Sequence, residues 1–183
     1  MKTLSNFFSL ISAVFATIPG IAVLISNIGV PPDTSKTMFA GTIEALGVLT
    51  LLILWTNKKW IQESSIKSIT RLAIYSTVLF LVSLFSYLFL YGYLVIEPVN
   101  SSPVFFPLFP MGELQEGLEK MGSKYELIQE WGRDDVYKII QSSSKTTLML
   151  TVLLLLFIYQ LIFVSLTFAF GILGIKCKED NLQ

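Results

Sequence analysis

The chain has 183 residues, 53% of them apolar and only 14% charged, with a mean hydropathy of +0.67. Soluble domains carry about 25% charged residues, and a domain this small has too much surface for its volume to hide such an apolar excess from water, so lipid is the expected solvent for most of it. Thirteen basic residues balance thirteen acidic ones, which excludes direct nucleic-acid binding through bulk charge. With one cysteine, Cys177, and no histidine, the chain can form no internal disulfide, no zinc site of the usual Cys/His type and no Ser-His or Cys-His nucleophile pair. Neither catalysis nor a cofactor is expected.

Four apolar runs follow one another, at about 7–28, 38–55, 72–96 and 148–175. Each is near or above the roughly 20 residues that cross a hydrocarbon core of about 30 Å. Backbone groups in lipid must be paired within their own segment, so each run is expected to be a helix. The first follows Lys2 and contains small residues, as a signal peptide would, but its apolar part is longer than a typical signal-peptide core. It is therefore read as a retained helix.

Lysine and arginine near the helix ends set the expected orientation. Lys58, Lys59, Lys67 and Arg71 lie between the second and third runs. Lys2 precedes the first run, and Lys176 and Lys178 end the fourth, whereas the first loop has only Lys36, opposed by Asp33. Both termini are expected in the cytoplasm, in an inner (plasma) membrane, with residues 97–145 outside. Trp55 and Trp60 fit an aromatic belt on the inner face, and Tyr91 and Tyr93 one on the outer face.

The outer segment begins with Pro98, Pro103, Pro107 and Pro110 around Val104, Phe105, Phe106, Leu108 and Phe109. Proline at that density blocks a helix. An exposed cluster of Phe105, Phe106 and Phe109 would not stay in water, so it either packs on the rest of the loop or forms a wedge against lipid or a neighbouring subunit. Short helices follow. Ser123 and Glu126 have capping-box spacing, and Tyr125, Leu127, Ile128 and Trp131 form an apolar stripe. Gly132 ends that helix, Asp134 caps the next, and Asp134 with Lys138 is a favourable i,i+4 pair. The last of these helices is expected to continue into the fourth span. Asn100-Ser101-Ser102 matches a glycosylation acceptor, a short and frequent pattern.

The expected architecture is all-α: a four-helix transmembrane bundle with a small helical extracytoplasmic loop domain between helices three and four. The parts are 1–96, 97–145 and 146–183. Within the bundle, Glu44 is the one ionisable residue well inside a span, where a carboxylate faces a bundle interior, water or a partner. It is either structural or part of a conducting or sensing site. Gly41 and Ala45 have the small-xxx-small spacing that lets helices approach closely, within one subunit or between subunits. Pro19 and Gly20 sit mid-span and imply a kink, static or hinge-like. Lys58, Lys59, Lys67, Arg71, Lys176 and Lys178 form a basic inner face. It is read as a topology signal, an anionic-lipid surface or a dock for an acidic cytosolic protein. Cys177 is a passive thiol or an acylation site.

The layout is similar to tetraspanins, but residues 97–145 lack the paired cysteines that define that family's loop. It resembles more closely the small four-span membrane subunit of the bacterial Kiwa anti-phage system, in length, in the four spans and in the loop from Glu97 to Lys145. That resemblance implies a homo-oligomeric inner-membrane sensor of phage attachment with a cytosolic partner that binds DNA. Two functions follow as expectations: a non-catalytic sensor or scaffold, and, from Glu44 with Thr42 and Thr50, a pore-forming subunit.

Overall fold

The computed structural model describes residues 2–26, 30–32, 34–98 and 102–179, with residues 2–4, 26, 178 and 179 described as backbone only. Asp33, Ile28, Asn100, Ser101 and the side chains of Lys2 and Lys178 therefore lie outside the described residues. Among the described residues eight helices run in the order α1 Lys2–Ser26, α2 Lys36–Thr56, α3 Lys58–Glu63, α4 Ile66–Leu94, α5 Glu113–Met121, α6 Lys124–Trp131, α7 Arg133–Ser143 and α8 Lys145–Glu179. Two-residue strands, β1 Val95–Ile96 and β2 Val104–Phe105, add a small antiparallel pair with Val95 opposite Phe105. Four helices, α1, α2, α4 and α8, are long and apolar enough to cross a membrane. At 1.5 Å per residue, the 35 residues of α8 extend about 52 Å, well beyond a core of about 30 Å.

The chain divides into two compact units. The first holds Met1–Val30, Ser35–Ser86 and Ile158–Gln183. Its α1 turns one seam inward, Ser5, Ser12, Ala16, Pro19, Gly20 and Val23, a spacing of seven, four, three, one and three that keeps to one side of a helix. A Cβ on Gly47 of α2 would collide with the Ala16 carbonyl oxygen, so α1 and α2 touch backbone to backbone. A Cβ on Gly171 of α8 would meet Leu54 and stand 3.1 Å from Ser12 Oγ, and one on Gly174 would stand 3.0 Å from the Ser9 nitrogen. The Ser5 hydroxyl donates to the Gly174 carbonyl and that of Ser12 to the Thr167 carbonyl, each at 2.8 Å. At one end, Leu54, Ile61, Ile69, Ala73 and Ile172 close a core that draws in α3 and the start of α4.

The second unit holds Pro31–Thr34 and Tyr87–Phe157, wider than the expected loop domain because the last turns of α4 and the first of α8 belong to it. Its core is Val104, Phe106, Leu114, Leu127, Ile128, Val136 and Ile140, with Leu148 from α8 packed against it. Ser123 accepts from the Glu126 N–H at 3.1 Å and starts α6 as expected. Gly132, at φ 83°, ends α6 in a conformation that favours glycine.

Several local expectations are corrected. Gly132, not Asp134, occupies the position before α7, and Asp134 lies inside its first turn. Lys138 pairs with Asp135 at 2.8 Å, three residues back, while Asp134 pairs with Arg133 at 3.1 Å. Helix α7 does not run on into the fourth span. It ends at Ser144, whose hydroxyl accepts from the Met111 N–H at 2.9 Å and donates to the Met111 carbonyl at 3.1 Å. A serine drawn sideways to a neighbouring strand of chain interrupts the helix there, in keeping with its weak helix preference.

Candidate functional site

The proline-rich segment is held to the start of α8 by two hydroxyls. Ser144 brackets Met111 as described, and Thr151 Oγ1 accepts from the Leu108 N–H at 2.9 Å while donating to the Thr147 carbonyl at 2.7 Å. Ahead of these clamps the segment turns Phe105 and Phe106 inward. Phe106 is fully buried and Phe105 nearly so, whereas Phe109 is 68% exposed. Of the two readings of this cluster, packing on the rest of the loop holds for Phe105 and Phe106 and the three-ring wedge is reduced to the one projecting Phe109, because β2 pairing and the Phe106 N–H bond to the Leu94 carbonyl at 2.9 Å direct the other two inward. Met111 is also exposed.

Lys124 ties α6 to the end of α4. Its Nζ donates to the Tyr93 carbonyl at 2.7 Å and stands 3.4 Å from the centre of the Tyr93 ring. The carbonyl is one of the orphan acceptors at a helix end, and the ring face attracts the ammonium. Burial nevertheless pushes this amine down to about 8, since a half-buried ammonium loses hydration that these two contacts only partly replace.

In the first unit, Glu44 is half-buried on α2 and packs on Gly20. A Cβ on Gly20 would stand 2.7 Å from Glu44 Oε1, so the Pro19-Gly20 pair leaves the space that the carboxylate fills. Pro19 and Gly20 are buried, and α1 continues through them as one helix. Gly41 and Ala45, in contrast, are exposed, and nothing lies within 4 Å of a Cβ on Gly41. Their expected role in packing within the chain is corrected; Gly47 and Gly20 do that work. The Thr167 hydroxyl, fully buried, has no hydrogen-bond partner among the described residues.

Lys58, Lys59, Lys67 and Arg71 are exposed, as are Trp55 and Trp60. Among the described residues no salt bridge involves any of the four cations. Lys176 differs from them: it is half-buried and its Nζ donates to the Gln62 carbonyl at the end of α3, so it fastens the α2–α4 connection instead of facing outward with the rest. Sequence reasoning missed the Ser5, Ser12, Ala16, Gly20 seam and the Gly171, Gly174 pair; the recurrence of small residues at steps of seven, four and three was the signal that carried both.

Comparison with protein-family models, with curated proteins and with solved structures gives no match to this chain.

Proposed function

We propose that this chain is a non-catalytic membrane sensor or scaffold in which the domain between α4 and α8 receives a signal and α8 carries it through the bilayer. The observation that supports this most is the double hydroxyl clamp. Ser144 and Thr151 fix the proline-rich segment to the first turns of α8, and α8 then runs without interruption to Glu179. A helix is stiff along its axis, so displacement of the domain is not absorbed in a loop. In this reading the domain is extracytoplasmic, both termini are cytoplasmic and the membrane is the bacterial inner membrane. The stimulus is phage attachment or membrane perturbation, as the layout shared with the Kiwa subunit implies, and the output is a cytosolic partner, one that binds nucleic acid. Gly41 and Ala45, open on the outer side of α2, are where a second copy packs in a homo-oligomer.

A nitroxide on Cys177, in full-length protein in nanodiscs, tests the coupling. Saturating the loop domain with an antibody fragment should change the Cys177 line shape, and inserting Gly-Gly after Phe157 should abolish the change. A line shape indifferent to the fragment in the uninserted protein sinks the reading.

A second reading, a pore-forming subunit, rests on Glu44 inside the first unit and on the unpartnered hydroxyl of Thr167. Purified protein in planar bilayers should then conduct, with Glu44→Gln altering the current; silence of the natural sequence removes this option.

A further inference from the structure

We propose that the start of α4 binds an anionic phospholipid, with the headgroup phosphate held by Lys67 and Arg71 and an acyl chain laid along the apolar stripe that follows them. The inference needs only that α4 is embedded in a bilayer and does not rest on the coupling reading.

The geometry begins with which way α4 faces. Ile69 and Ala73 are buried against the rest of the first unit. At 100° per residue, Arg71 stands about 160° around the helix from both, and Lys67 about 160° from Ile69 and about 120° from Ala73; both cations are exposed. They are four residues apart, so they lie one above the other on the same face. Directly along that face come Ile74, Tyr75, Val78 and Val82, all exposed. One continuous strip therefore changes from two cations to an unbroken apolar surface. From Arg71 to Val82 is about 16 Å of helix, close to half of a core about 30 Å thick. A phospholipid has that same polarity along its length: a charged head, then an acyl tail that reaches the midplane.

Among the described residues the charge of Lys67 and Arg71 has no ion-pair partner, and the neighbouring acid, Glu63, ends the preceding helix. Arg71 stands one turn above an apolar lipid-facing surface, where a cation must extend to the headgroups. A guanidinium matches phosphate by paired hydrogen bonds, and an ammonium supports it as a point charge. The connection from α2 to α4 is also short: α2 ends at Thr56 and α4 begins at Ile66. Ile61 is buried and Lys176 holds the Gln62 carbonyl, so the connection is fastened down and this face stays at headgroup depth. A lipid, present there at high local concentration, fits this position better than a soluble acidic protein.

The test uses the full chain in phosphatidylcholine bilayers with trace spin-labelled phosphatidylglycerol or phosphatidylcholine. The motionally restricted fraction reports lipid held at the protein surface. The anionic label should be preferred by about fivefold for each of the two basic side chains, the factor given by about 1 kcal/mol per basic side chain near an anionic surface. Lys67→Gln with Arg71→Gln should bring the preference close to one. Arg71→Lys should retain most of it, and Lys120→Gln, in the other unit, should leave it unchanged. Equal association of the two labels with the natural sequence overturns the proposal. So does a preference that survives the double substitution, or one that Lys58→Gln with Lys59→Gln removes in its place. Capture of poly-glutamate without any lipid preference would make the face a protein dock and overturn it equally. Both substituted positions are exposed, and circular dichroism with a monodisperse elution profile checks that the variants are folded.

Discussion

The two units are held together by different means. The loop unit packs Phe106, Leu114, Leu127, Ile128, Val136 and Ile140 into a core, the solution a water-facing domain uses because apolar burial drives it. The membrane unit instead brings α1, α2 and α8 together on Gly47, Gly171 and Gly174 and on the hydroxyls of Ser5 and Ser12. Many of its large side chains point outward: Leu10, Ile18, Ile25, Leu52, Tyr75 and Val82 are all exposed. Lipid tails are as apolar as leucine, so burying leucine between helices brings little net gain in a bilayer, and close backbone approach with small residues takes over. Small residues thus bring α1, α2 and α8 together in one region, beside the Leu54, Ile61, Ile69 and Ile172 core at one end, whereas large ones fill the core of the other.

That contrast can be broken at either end. Truncating the loop core should be the most damaging change: Phe106→Ala should destabilise that unit by about 3–5 kcal/mol, read as loss of cooperative unfolding followed from Trp131 fluorescence in a Trp55→Phe, Trp60→Phe background. In the membrane unit, adding one methyl should do what removing many does in the loop. Gly47→Ala should destabilise by about 1–3 kcal/mol, because its Cβ meets backbone that cannot move aside without separating α1 from α2. Gly41→Ala, where no atom of the same chain is near, should leave the thermal midpoint of the detergent-solubilised monomer unchanged. A similar drop at both positions would remove the assignment of the close contact to Gly47.

A finer comparison sets two serines side by side. Ser144→Ala leaves the Met111 N–H without its partner and should lower loop-unit stability by about 1 kcal/mol. Ser12→Ala removes a donor from the Thr167 carbonyl in the membrane unit and should have a smaller effect, about 0.6 kcal/mol. The reverse order, measured by chemical unfolding in mild detergent, would contradict the account of the two regions.

The smallest effect is on pH dependence. Lys124 has a folded pKa of about 8, below its ordinary 10.5. Between these two values the unfolded chain binds the proton that the folded chain has released, so loop-unit stability should rise with pH across that window and be flat below it as far as this group is concerned. Lys124→Gln should reduce that slope in unfolding curves taken from pH 8 to 10.5, and an unaltered slope would show that the amine is not depressed.

The four long helices were legible because 20-residue apolar runs have few physical solutions, and the caps at Ser123 and Gly132 were legible because they depend on local chemistry. The facing of the helices was not. Gly41 with Ala45 looked like the packing pair, yet Gly47 lies on the packed face, and hydropathy alone cannot orient a helix that is apolar all round. The phenylalanine cluster was legible only in part: composition said that the rings avoid water, by packing on the loop or as a wedge, but the pairing of β1 with β2 decided that Phe105 and Phe106 turn inward and Phe109 does not. The break at Ser144 depended on a partner, Met111, 33 residues away. The basic cluster was visible as charge, while the separate tasks of Lys176 and of Lys67 with Arg71 emerged from burial and from the face each occupies.

The account stands or falls on whether the loop unit and the α2–α4 connection are on opposite sides of one bilayer. In a Cys177→Ser background, single cysteines at Glu119 and at Lys59 can be treated with a membrane-impermeant maleimide in intact spheroplasts and again after permeabilisation. The account predicts that Glu119→Cys reacts at once and Lys59→Cys only after permeabilisation; labelling of both positions from the same side would contradict it.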